Sequence, residues 1–151
     1  MNRPDWKELP ERAVQNRILE LTDTRGSIAM FTPIQSILIS RVQGHLSEAF
    51  ADSWLKATAP VLARGSSLNV FNDWGAMESY DSAARRKLTD WAMLNRKQIG
   101  GTYFTTTSRI VSMGVAVAGA ALAIASVKLE SLSREEFLAR LEKALVLGSP
   151  A

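Results

Sequence analysis

The stretch at residues 68–88, LNVFNDWGAMESYDSAARRKL, constrains this chain most, because it reads as a buried strand feeding a helix through a short polar junction. Leu68, Val70 and Phe71 suit a strand, Asn72-Asp73-Trp74-Gly75 reads as the turn that ends it, and Ser79 or Asp81 can cap the next helix. In that helix Ala84, Leu88, Trp91, Ala92, Asn95 and Ile99 recur at helical spacing. Arg85, Arg86, Asp90, Arg96 and Lys97 share the other side, and Gly100-Gly101 is its stop. The pattern then repeats twice. Residues 102–107 are strand-forming, and Ser108 can cap an apolar helix from Arg109 to about Ala125. A short strand at 127–130 precedes a capping box, Ser133-Arg134-Glu135-Glu136, and a helix with Phe137, Leu138, Leu141 and Leu145 inward. Strands alternating with helices call for parallel pairing through crossovers.

Ahead of this stretch, apolar runs at 17–21 and 27–31 flank a turn at 22–26, with Pro33 expected to end the second strand. A third run at 36–42, closed by Gly44, completes an antiparallel meander. Phe50, Trp54, Leu55, Thr58, Val61 and Leu62 then mark one side of a helix capped by Ser47 and stopped by Gly65, with a kink or restart expected at Pro60. The expected fold is α/β: a mixed sheet with antiparallel N-terminal strands, parallel βα units and about four flanking helices. Residues 1–15 read as a polar extension, poorly ordered unless something packs on Trp6; 16–147 read as one domain, and 148–151 as a disordered tail.

A chain of 151 residues, 46% of them apolar, can bury one core without staples. The absence of cysteine excludes disulfides, thiolate catalysis and iron-sulfur chemistry. A net charge of +3, from 18 basic and 15 acidic residues, does not demand nucleic acid. The start, MNRPDWKELPERAV, carries charges and two prolines where a secretory signal needs an apolar run, so a cytoplasmic protein is expected. Residues 110–127 are uncharged over 18 positions, at the short limit for a membrane span, but they are rich in Ala and Gly and lie between two strands. They read as a packed helix with no membrane span. That helix is apolar all round, so its second side needs a cover: the terminal helix, a second subunit in a homodimer, or an apolar ligand. Met113, Val117, Ala120 and Ala121 are the residues expected to meet it.

The junction gathers the candidate partner-binding or regulatory residues: Asp73, Trp74, Tyr80, Asp81, Ser82 and Arg85. Trp74 and Tyr80 are aromatic anchors for a protein partner, and the Arg85-Arg86-Lys87 run suits an acidic partner or a solvated helix face. Asp73, Glu78 and Asp81 offer carboxylates, but no nucleophile, phosphate-binding glycine loop or defined spacing accompanies them, so binding ranks above catalysis. His45, the lone histidine, reads as a residue of a strand-to-helix turn, and no metal or other cofactor is expected.

The element order, with Asp81-Ser82 opening a helix just beyond a central strand, resembles the STAS domain of bacterial anti-sigma-factor antagonists over roughly residues 17–147. It also resembles the STAS-like proteins grouped with the CRAL-TRIO lipid-transfer fold. The resemblance implies a non-catalytic module in bacterial signalling that docks a partner through residues 72–85. Its lipid-transfer side implies, alternatively, a carrier of an apolar ligand beside the 110–125 helix. The antagonist signature is Asp-Ser-Ser-Gly with the second serine phosphorylated; here the sequence is Asp81-Ser82-Ala83-Ala84. Ala83 occupies the phosphosite, which leaves Ser79 and Ser82 as the candidate phosphorylation positions.

Overall fold

The computed structural model describes residues 8–148; Trp6 and the tail 149–151 lie outside the described residues. A 3-10 turn (Glu11–Val14) leads into β1 (Arg17–Thr22), β2 (Gly26–Ile34) and β3 (Ile37–Leu46). Then follow α1 (Glu48–Ala63), β4 (Leu68–Tyr80), α2 (Ser82–Leu94), β5 (Ile99–Thr106), α3 (Arg109–Ile124), β6 (Leu129–Ser131) and α4 (Arg134–Leu147). The six strands lie side by side in chain order. β1, β2 and β3 pair antiparallel because only short turns join them, and β3 to β6 pair parallel because a helix spans each gap. This is the expected mixed α/β sheet with four helices.

Alternation along the central strands divides the molecule into two cores. Leu38, Val42, Val70 and Trp74 point toward α1, α2 and α3, where they meet Phe50, Trp54, Leu88, Trp91, Val111 and Val115. Ile37, Ile39 and Phe71 point the opposite way, toward Phe137, Leu141 and Leu145 of α4. Leu9 and Ala13 join this second core, so residues 8–15 are packed rather than a loose extension. Fully burying one such large side chain contributes about 1.5–3 kcal/mol.

Five expected boundaries differ from those observed. Asn72-Asp73-Trp74-Gly75 does not end the central strand; β4 continues to Tyr80, because β5 pairs with it as far as Trp74 and β3 pairs with it on to Tyr80. Gly44 does not close β3 but sits within it at φ +71°, and Pro33 lies inside β2 where the register to β3 slips. Pro60 does not restart α1, which is continuous for 16 residues. α2 stops at Leu94, and Ile99-Gly100-Gly101 instead begins β5.

β4 also carries extra residues relative to β3: Arg41 pairs with Asp73 but Gln43 with Ala76, and Gly44 pairs with Met77 but His45 with Ser79. These bulges reset the alternation. As a result Trp74 and Met77, three apart, both enter the helix-covered core.

On the other face of β4, Asp73 is 2% exposed and takes a forked bond from Arg134, the first residue of α4, at 2.6 Å (Nη1 to Oδ1) and 3.2 Å (Nη2 to Oδ2). The pair ties α4 to the middle of the sheet. Arg134→Met, which leaves the Asp73 carboxylate buried alone, is expected to cost roughly 3–5 kcal/mol in urea unfolding, and the double variant Asp73→Leu/Arg134→Met to recover most of that loss.

Candidate functional site

An apolar cavity of about 60 Å³ lies between the helix-covered face of the sheet and the helices α2 and α3. That space exceeds what one water needs. Trp54, Trp74, Trp91 and Phe104 form aromatic walls, and Val111, Gly114, Val115, Ala118 and Leu122 are the α3 side. The cause lies in the α3 sequence: Gly114 and Ala118, one turn apart, put almost no side-chain volume on the inner face. Gly114 is further required because Tyr80 lies across it; a Cβ there would be 2.5 Å from the phenol oxygen.

Polar groups around the cavity are mostly paired. Trp74 Nε1–H donates to Ser40 Oγ at 3.0 Å, and the Ser40 hydroxyl donates to Asn72 Oδ1 at 2.7 Å. Trp91 Nε1–H donates to Thr58 Oγ1 at 3.0 Å, and Thr58 donates in turn to the Trp54 carbonyl at 2.8 Å. Trp54 breaks the pattern. Its ring, 2% exposed, meets Trp91 edge-on at 5.5 Å, and its buried indole N–H has no acceptor among the described residues. Leaving such a donor unmatched costs about 1–3 kcal/mol.

A second cluster sits at the end of β4. Ser79 Oγ lies 2.7 Å from His45 Nδ1, and Asp81 Oδ1 lies 2.8 Å from His45 Nε2. The Asp81 carboxylate can only accept, so Nε2 carries a proton, and in the neutral ring Nδ1 then accepts from the Ser79 hydroxyl. The connectivity is that of a serine-histidine-aspartate relay with the imidazole turned round. Its other oxygen is already engaged: Asp81 Oδ2 accepts from the Glu48 amide at 2.9 Å. Asp81 was expected to cap α2, yet α2 begins with no side-chain cap, because this carboxylate is drawn to the start of α1 and to His45. The cluster therefore pins β3, β4 and α1 together.

The predicted site residues separate accordingly. Asp73 is locked under α4, while Trp74, Tyr80 and Arg85 line the cavity. Ser79 and Asp81 hold His45; Ser82 and Glu78 are exposed. Met113, Val117 and Ala120 face outward on α3, and Ala121 is half-buried outside the cavity lining. Sequence reasoning missed His45, Trp54 and Arg134 as site-forming residues. Ser79 and Asp81, two apart, carry a signal for a shared strand side, but nothing marks His45, 34 residues earlier, as their partner.

The Glu48 amide and then His45 hold the Asp81 carboxyl below the usual aspartate range, and the Arg25 and Gly26 amides do the same for Asp23 in the β1–β2 turn. Both groups bind protons more weakly folded than unfolded. Their contribution is therefore full above the unfolded carboxylate range, about pH 4, and is lost as pH falls through the lower folded values. The urea midpoint is expected to drop between pH 5 and pH 2, and Asp81→Asn to flatten part of that drop.

No protein-family model and no curated protein matches the chain. Among solved structures it is similar to an uncharacterized protein of the DUF3478 family with a SpoIIAA-like fold from Shewanella loihica PV-4. The two superpose at a TM-score of 0.56 with 11% identity, over 80% of this chain and 98% of that one. The chain thus has the SpoIIAA-like fold, which is the STAS-like fold its element order resembles.

Proposed function

We propose that this protein is a non-catalytic binding module whose cavity between the sheet and α2 and α3 holds a small apolar ligand. The observation that carries the reading is Trp54: a buried indole donor without an acceptor among the described residues, in the wall of an apolar cavity. A bound molecule with an oxygen acceptor would fill the space and satisfy the donor together. The junction supports the same reading, since Trp74 is only 8% exposed and Tyr80 packs on α3, so both are presented inward. A partner docking through residues 72–85 would reach Ser82 and the outer turn of α2, but not Asp73 or Trp74.

Acetophenone, an aromatic ring with one carbonyl, is a suitable probe. It is expected to bind saturably and to shift the indole N–H resonances of Trp54 and Trp91 in a ¹H–¹⁵N spectrum. Ala118→Phe, which fills the cavity from α3, should abolish those shifts while leaving the fold's spectrum intact. Unchanged indole resonances at saturating probe would overturn the reading.

A second reading, self-association, rests on the outer face of α3. Ile110, Met113, Val117, Ala120 and Ile124 are exposed there at the 3-4-3-4 spacing of a helix-helix seam. α3 contains no acidic residue, and Arg109 is its only charge, so two copies can meet along this stripe with little like-charge repulsion. Sedimentation should show a concentration-dependent dimer that Val117→Glu dissociates; a monomer at high concentration in the unmodified protein would exclude it.

A further inference from the structure

We infer that the ligand of this cavity is a small apolar carboxylate, with Arg85 as its counter-charge; the inference rests on the binding-module reading above. Arg85 is the one charged residue among the described residues that line the cavity, and no aspartate or glutamate lines it. The neighbouring cation is handled differently. Lys87, two positions along α2, is bonded to Asp52 at 2.5 Å and Glu48 at 3.0 Å on α1, and these contacts raise its pKa. Arg85 makes no ion pair among the described residues, and its hydrogen bonds are those of its backbone, to the Asp81 carbonyl and from the Thr89 hydroxyl.

Arg85, half-buried and one of the residues that line this apolar space, sets the chemistry of what enters. Its planar fork matches the two oxygens of a carboxylate. Arg85 also lies in the first turn of α2, where the helix dipole adds to the attraction for an anion. Charge balance decides between anions. One cation facing a lining without other charges neutralises a monoanion, whereas a phosphate dianion would keep an uncompensated charge beside Trp74 and Phe104. Of the other polar groups of the lining, Asn72 is engaged with Ser40 and the Tyr103 carbonyl, Thr89 with the Arg85 carbonyl, and Thr102 with the Lys128 carbonyl, which leaves the Trp54 indole N–H as a second donor for the carboxylate. The remaining volume, walled by tryptophans and the small residues of α3, takes the apolar body.

Benzoate and acetophenone are near-isosteric and differ in charge, so their affinities, read by calorimetry or by the indole resonances, isolate the role of Arg85. Benzoate is expected to bind at least about tenfold more tightly, as a charge-assisted pair implies, with the ratio shrinking as salt rises. Arg85→Gln should collapse the ratio to about one, and Arg85→Lys should keep part of it. Equal affinities in the unmodified protein, or a preference that survives Arg85→Gln, would overturn the carboxylate inference while leaving acetophenone binding to support the module. Failure of the folded protein to bind either compound would overturn both.

Discussion

Strand β4 is covered by helices on both faces and paired with β3 along its length and with β5 as far as Trp74, so each polar group it buries must find its partner inside the protein. Asn72, on one face, joins Ser40 and through it the Trp74 indole. Asp73, on the other, takes the guanidinium of Arg134 and so fixes where α4 begins. Ser79 and Asp81, at the far end, take His45 and the first amide of α1. One strand thus sets the position of three other elements. Asn72, Asp73, Ser79 and Asp81, which look like turn or cap residues in the linear chain, each bond to another element of the protein.

The cavity follows from the same strand and from one helix. The β4 bulges bring Trp74 and Met77 to one face, and Tyr80 leaves the strand end to lie over Gly114. Past that contact, the inner side of α3 is too small to reach the sheet at Ala118, and the space between is walled by rings. Close packing normally removes such voids. Here two of the three indoles in the wall are satisfied by protein groups, and the third, Trp54, has no acceptor among the described residues.

α3 also shows why an apolar circumference is ambiguous in a sequence. Its 16 residues contain no charge beyond Arg109, and among the described residues no helix is long and apolar enough to cross a membrane. The helix divides its apolar residues between two roles. Val111, Val115 and Leu122 enter the core, whereas Ile110, Met113, Val117 and Ile124 form an outward stripe. The residues expected to meet an apolar ligand belong mostly to the stripe, and the cavity wall lies about half a turn away.

The sequence by itself determined the element order, the antiparallel-then-parallel sheet and the three caps at Ser47, Ser108 and Ser133, because periodicity and capping are local properties read within a few residues. It placed Trp74, Tyr80 and Arg85 in one segment, and all three line the cavity. The boundaries at Gly44, Gly75 and Gly100 escaped it, since pairing with neighbouring strands overrides local breaking tendency. Only the tertiary structure decided which side chains meet. His45 with Asp81, Trp54 edge-on with Trp91, and Asp73 with Arg134, 61 residues apart, are set by strand register and helix placement. Those depend on the summed packing of two cores, a quantity that no short stretch of the chain encodes.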